Sequence, residues 1–169
     1  MEISNQKRPK PHIPRTPLEK TLEVLGVLGV LFIVGSLAFS WSSVPDTIPT
    51  HFNAAGQANA YGSKDTLFTL PAITVVLYVL LTVVGFFPYI FNFPWRITEQ
   101  NAEAQYRLAH TMLAWLKVEL VALLGFIHWS LLQAALGQSE GLSIWFLPVG
   151  LVVVFGTIGV YIRLLYRAR

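Results

Sequence analysis

The chain contains no cysteine, so no disulfide, thiolate ligand or thiol nucleophile is open to it. Charge is scarce as well: Asp, Glu, Lys and Arg make up 12% of the 169 residues, against about 25% in an ordinary soluble domain. No His-Glu-x-x-His, no Gly-x-Ser-x-Gly and no clustered carboxylates occur, so the common metalloprotease, hydrolase and acid–base arrangements are missing. These absences argue against a water-soluble enzyme, a secreted disulfide scaffold and a nucleic-acid-binding domain. The expectation is a non-enzymatic protein with no cofactor and no metal.

Apolar sequence is present in quantity. Hydrophobic residues form 54% of the chain and the mean hydropathy is +0.56. Uncharged stretches run over Val24–Pro45, Thr66–Trp95, Leu120–Ser139 and Gly141–Ile162, which are 22, 30, 20 and 22 residues long. A helix needs about 20 apolar residues to cross a hydrocarbon layer of about 30 Å. The sequence therefore predicts an all-α integral membrane protein, a bundle of four transmembrane helices over roughly Thr21–Trp41, Leu67–Phe91, Leu108–Gln133 and Ser143–Leu165. In domain terms this gives a basic tail (1–20), a two-helix module (21–91) with an outer loop (42–66), and a second helix pair (92–169).

The distribution of basic residues orients the bundle. Of the twelve, five precede the first span, two (Arg96, Arg107) lie in the second connection and three (Arg163, Arg167, Arg169) end the chain. Only Lys64 lies in the first connection, and Lys117 sits inside the third span. The positive-inside rule then puts both termini in the cytoplasm, with the lipid bilayer as the first partner and no nucleic acid. A signal peptide cleaved near Ser36-Leu37-Ala38 is the rival reading, but the apolar run exceeds the 7–15 residues usual for one. The tail Arg8–Pro17 holds four of the ten prolines and reads as extended, solvated and disordered, a basic tether near anionic lipid.

The first connection carries the most information. Pro45 and Pro49 keep its start extended, which places Ile48, Thr50 and Phe52 on one face and His51 and Asn53 on the other. Asn53-Ala54-Ala55-Gly56 reads as a turn. Ser63 is placed to cap the next helix, with Asp65 in its first turn. The loop is expected to fold down on the helix ends as an ordered cap. Gly56, Gly62, Ser63 and Lys64 do not have P-loop spacing, and His51 with Asp46 and Asp65 is too sparse for a metal site.

The pattern Pro45-Asp46-x-Ile48-Pro49-x-His51-Phe52-Asn53-x-x-Gly56-x-x-Asn59-x-x-Gly62-Ser63-Lys64 resembles the bacterial membrane module known as domain of unknown function 1648, the amino-terminal part of SdpI-like proteins. It covers roughly Leu31 to Leu80. The resemblance implies a protein of the bacterial inner membrane with an external loop, and some SdpI-like proteins give immunity to a secreted killing peptide. It supplies no catalytic residue. Where Asn59 stands the family usually has an aspartate, which weakens any acidic role at that position. Candidate ligand-binding residues of the loop are Asp46, His51, Phe52, Asn53, Gly56, Asn59, Gly62, Ser63 and Lys64.

Ionisable residues inside a span are rare and costly, so Glu23, Lys117, Glu119, His128 and Arg163 form the second candidate set. Arg107, His110, Ala114, Lys117, Val121, Leu124 and His128 follow steps of three and four and form one stripe. Glu119 lies about 200° around the helix from Lys117. The pairing expected is Lys117 with Glu23 and Glu119 with Arg163. His128 reads either as an interhelical hydrogen-bonding residue or as a proton-sensitive contact with the loop near His51. Two functional classes follow: a surface-sensing or immunity protein whose partner is a secreted peptide or another membrane protein, and an ion or small-molecule transporter subunit that would have to oligomerise.

Overall fold

A computed structural model describes residues 8–53, 57–139 and 141–169. Four helices carry the fold: α1 (Pro17–Ser40), α2 (Thr69–Gly85), α3 (Ala102–Ala135) and α4 (Phe146–Arg167). Each is long and apolar enough, with its flanking turn where one is present, to cross a membrane. All four leave large apolar side chains exposed, among them Leu31, Phe39, Val76, Phe126 and Val152. Water would penalise such surfaces and acyl chains would not.

Local chemistry explains where the helices start and stop. At the start of α1 the Thr16 hydroxyl accepts from the Glu19 N–H at 3.2 Å, while the Glu19 carboxylate accepts from the Thr16 N–H at 2.8 Å. Pro17 follows in the first helical position, where its missing N–H costs nothing. The helix therefore begins four residues before the expected Thr21. α2 stops at Gly85 and not at Phe91, because Pro88 disfavours helical geometry at Phe87 (φ −125°, ψ 55°). A 3₁₀ turn over Pro88–Ile90 replaces its last turn. α3 has 34 residues, about 51 Å at 1.5 Å per residue. It ends where Gly137 takes φ +71°. There the Gly137 N–H reaches the Ala134 carbonyl and the Gln138 N–H reaches that of Gln133, at 3.1 and 2.8 Å. Those paired bonds satisfy carbonyls that a helix end otherwise orphans.

The first connection corrects the all-α expectation. It contains an antiparallel hairpin of β1 (Thr47–Phe52) and β2 (Ala58–Ser63), flanked by 3₁₀ turns at Trp41–Ser43 and Lys64–Phe68. Thr47 pairs with Ser63, Ile48 with Gly62 and Pro49 with Tyr61; the register then slips, so that His51 meets Ala60 and Phe52 meets Ala58. The hairpin packs on one end of the bundle. Ile48 is buried there with Leu37, Val44, Leu67, Leu132 and Ala135.

A second buried cluster closes the opposite end, built from Phe93, Ile97, Ala102, Tyr106, Ala109 and Leu165 with Ile13 against it. The tail from Arg8 onward is thus docked, contrary to the solvated segment expected. The Arg8 guanidinium donates to the carbonyls of Tyr89 and Phe91 at 3.0 and 2.5 Å, groups left open by the early end of α2. Lys10 and Arg15 lie over the rings of Tyr89 and Phe86 at 4.2 and 5.4 Å, a favourable contact for a cation.

Between these ends α3 is the central helix and touches the other three. α1 meets it at Gly29, where a Cβ would fall 2.5 Å from Val121 Cγ1. Small residues let membrane helices approach this closely. Gly29→Val is expected to destabilise the bundle by about 1–3 kcal/mol through overpacking, measured by reversible unfolding in mixed micelles. Gly156→Val, at a position with nothing within 4 Å, should be neutral.

Candidate functional site

The hairpin is held by its own motif residues. Asp46 and Lys64 close its base: the Lys64 ammonium lies 3.0 Å from the Asp46 carboxylate, the Lys64 N–H donates to the Asp46 carbonyl at 3.0 Å, and the ammonium sits 5.0 Å over the Trp41 ring. Ser63 caps the Lys64–Phe68 turn through the Asp65 N–H at 3.2 Å, as the sequence implied. Gly62 sits close under Thr50, where a Cβ would meet Thr50 Cγ2 at 3.1 Å. Across the strands His51 Nδ1 lies 2.6 Å from Asn59 Oδ1. Asn53 and Gln57 tie the strand ends together, with the Gln57 N–H donating to Asn53 Oδ1 at 3.0 Å. Phe52 is half-buried, and Gly56 lies outside the described residues. The pattern that looked like a ligand-binding motif is therefore in large part the chemistry that builds a hairpin. Its exposed side chains include His51, Asn59 and Tyr61, which are free to meet a partner.

The second candidate set separates into three places. Toward the tail end, Lys117 is 4% exposed and its ammonium lies 2.6 Å from Glu23 Oε2, the pairing expected. Lys117 also donates to Thr82 Oγ1 at 2.9 Å and lies 4.6 Å over the Tyr78 ring. The Tyr78 hydroxyl donates to the same Glu23 carboxylate, and Arg15 approaches it to 3.6 Å. One turn below, Glu19 accepts from Thr111 at 2.7 Å, and His110 Nε2 donates to the Gly85 carbonyl. Arg15, Glu19, Glu23, Thr82, His110 and Lys117 line a cavity of about 30 Å³, room for about two waters. Two cations face two carboxylates, so the cluster is electrically balanced and tightly bonded.

Glu119 does not reach Arg163. Its Oε1 accepts from Thr157 at 2.5 Å, while Oε2 is buried without a partner. Arg163 stands six residues beyond Thr157, about 9 Å further along α4, and is exposed with no ion pair among the described residues. His128 is fully buried, and Nε2 lies 3.3 Å from the Ser36 hydroxyl. Ser36 gives its one hydrogen to the Ile33 carbonyl at 3.0 Å, so it accepts from the His128 Nε2–H, leaving Nδ1 bare and without a partner. That is the interhelical bond. Among the described residues His128 has no hydrogen bond to the loop, whose His51 is engaged with Asn59.

Sequence reasoning missed Glu19, Tyr78, Thr82 and the docked tail. Thr16-Pro17-Leu18-Glu19 carries a capping box and an N1 proline, a legible signal for the first. Tyr78 and Thr82 are four residues apart on an apolar helix and gain meaning only when α1 and α3 are set against it.

Four apolar helices with a hairpin between the first two define a multi-pass membrane protein. Residues 27–75 match the family described as domain of unknown function (DUF1648), so the segment from mid-α1 through the hairpin into α2 carries that domain. The chain is also similar to an uncharacterized protein of Archaeoglobus fulgidus, 28% identical over 89 residues. That match takes in 48% of this chain and 49% of the relative, so the chain spans about half the length of the curated relative it matches. No solved structure matches the chain.

Proposed function

We propose that this is a non-enzymatic protein of a bacterial inner membrane, with both termini cytoplasmic, whose hairpin recognises a partner at the cell surface. The observation that carries the reading is the division of labour in the hairpin. Its buried and charged motif residues are spent on holding it to the helix ends, and His51, Asn59 and Tyr61 are left exposed on a fixed frame. A preorganised surface loses little ordering entropy on binding. The SdpI-like version of this reading is immunity to a secreted peptide; envelope sensing would use the same surface. A transporter role draws support from the ionisable cavity around Lys117, but its carboxylates and cations are matched and bonded to each other, which favours a structural tie.

The test is a deletion strain challenged with its own culture supernatant. Sensitivity reversed by wild type, and not by His51→Ala with Tyr61→Ala, is the expected result, with both proteins present in the membrane at equal levels. A deletion strain indifferent to the supernatant sinks immunity. Because the chain has no cysteine, single Gln57→Cys and Arg169→Cys variants report orientation in the same strains. An impermeant thiol reagent should label the first in intact cells and the second only after permeabilisation.

A further inference from the structure

The docked tail roofs a second cavity, of about 600 Å³, at the end of the bundle away from the hairpin. Its walls include Lys10, His12, Arg15, Tyr89, Tyr106 and His110. No carboxylate is among the described residues that line it. It meets the small matched cavity at Arg15 and His110, which line both. The two differ in charge: Glu19 and Glu23 neutralise the inner one, while the outer one keeps an excess of cations. Arg15 shares its charge with Glu23 at 3.6 Å. Lys10 and His12 have no carboxylate partner among the described residues, and both are exposed.

A second observation points the same way. Tyr106 is 1% exposed, and its hydroxyl is buried without a hydrogen-bond partner. Leaving such a group unsatisfied is costly, yet its ring is packed in the tail-end cluster, 5.7 Å from the ring of Phe93. The orphaned donor belongs to a residue that lines a cation-rich cavity, and an anionic oxygen reaching it from there would satisfy it. A volume of this size is that of a small-molecule site. Its rim is apolar and aromatic, with Phe86, Pro88 and Tyr89 at the end of a membrane-spanning helix, where acyl chains give way to headgroups.

We propose that this cavity binds the phosphate-bearing headgroup of an anionic phospholipid, with the phosphate held by Lys10, Arg15 and the Tyr106 hydroxyl and the acyl chains lying over Phe86 and Pro88. Basic pockets between helix ends favour such headgroups, and here the tail completes the pocket. The assignment goes beyond surface recognition by the hairpin and is independent of it, since it concerns the opposite end of the bundle.

The experiment uses the full chain, delipidated in a neutral detergent and titrated with short-chain phosphatidylglycerol or phosphatidylcholine, with bound lipid counted by native mass spectrometry. One phosphatidylglycerol should be retained in preference to phosphatidylcholine. Lys10→Gln with His12→Gln should lower retention about tenfold. Tyr106→Phe should lower it about fivefold while unfolding no earlier than wild type, because only an unpaired hydroxyl is removed. That combination separates a ligand contact from a structural one. Equal binding of the two lipids, or variants that bind like wild type, overturns the proposal. Displacement of the lipid by millimolar inorganic phosphate also overturns it, because the site would then belong to a soluble phosphate compound.

Discussion

Lys117→Ala should destabilise the bundle by about 3 kcal/mol, the low end of the range found when one member of a buried ion pair is removed, because Glu23 is partly exposed. The ammonium lies 2.6 Å from Glu23 Oε2 and is the shortest of the cationic contacts on that carboxylate; Arg15 stands off at 3.6 Å and is more exposed. Removing it leaves a carboxylate among helices with the Tyr78 hydroxyl as its main donor. The double change Lys117→Ala with Glu23→Gln should recover most of the loss, because the one charge it leaves over, that of Arg15, is partly exposed to solvent. The charge swap Lys117→Glu with Glu23→Lys should recover less. In the swap Tyr78 faces an ammonium that cannot accept its proton, and Thr82, now beside a carboxylate, must turn from acceptor to donor. Unfolding in mixed micelles of wild type, Lys117→Ala, Glu23→Gln and their double mutant gives the coupling energy directly. A single mutant within about 1 kcal/mol of wild type, and a double mutant no better, would show that the pair contributes nothing.

That pair was legible in the sequence because two conditions met. Lys117 and Glu23 are ionisable residues at the edges of apolar runs, and threading by charge puts the start of α1 and the first half of α3 at one end. The same logic failed for Glu119. Helical periodicity gives the direction a side chain faces and its depth along its own helix, but not the offset between neighbouring helices. Arg163 falls about 9 Å beyond the residue that Glu119 meets. The hairpin was half visible: prolines and alternating burial announced an extended, ordered segment, and Ser63 announced the next turn. Its partner strand did not show, because Ala58-Asn59-Ala60-Tyr61-Gly62-Ser63 is poor in residues that favour strands, and the pairing is made by burial of Ile48 and the Asp46–Lys64 tie. The tail misled for a related reason. Proline and charge describe a solvated segment unless the rest of the fold offers open carbonyls and aromatic faces, and the early end of α2 supplied both.

Ile48→Asp should release the hairpin from the bundle. Ile48 is 1% exposed and packs with Leu37, Val44, Leu67, Leu132 and Ala135, so the substitution removes a large apolar contact and buries a carboxylate among apolar side chains. Lost packing and desolvation together amount to about 3–5 kcal/mol, more than a two-stranded hairpin can supply alone. The helices do not depend on this contact for their own backbone bonds, so the damage should stay local. Hydrogen exchange should show the amides of Thr47–Phe52 and Ala58–Ser63 losing protection while those of α1 and α3 keep it. Ile48→Val should cost about 1 kcal/mol and leave exchange almost unchanged, and His51→Asp, at an exposed position, should not release the hairpin. Protection of both strands surviving in Ile48→Asp would mean that the Asp46–Lys64 tie and the strand bonds suffice. The same variant bears on function. If recognition needs the hairpin on a fixed frame, Ile48→Asp should abolish resistance as fully as His51→Ala with Tyr61→Ala, although every exposed contact residue is still present.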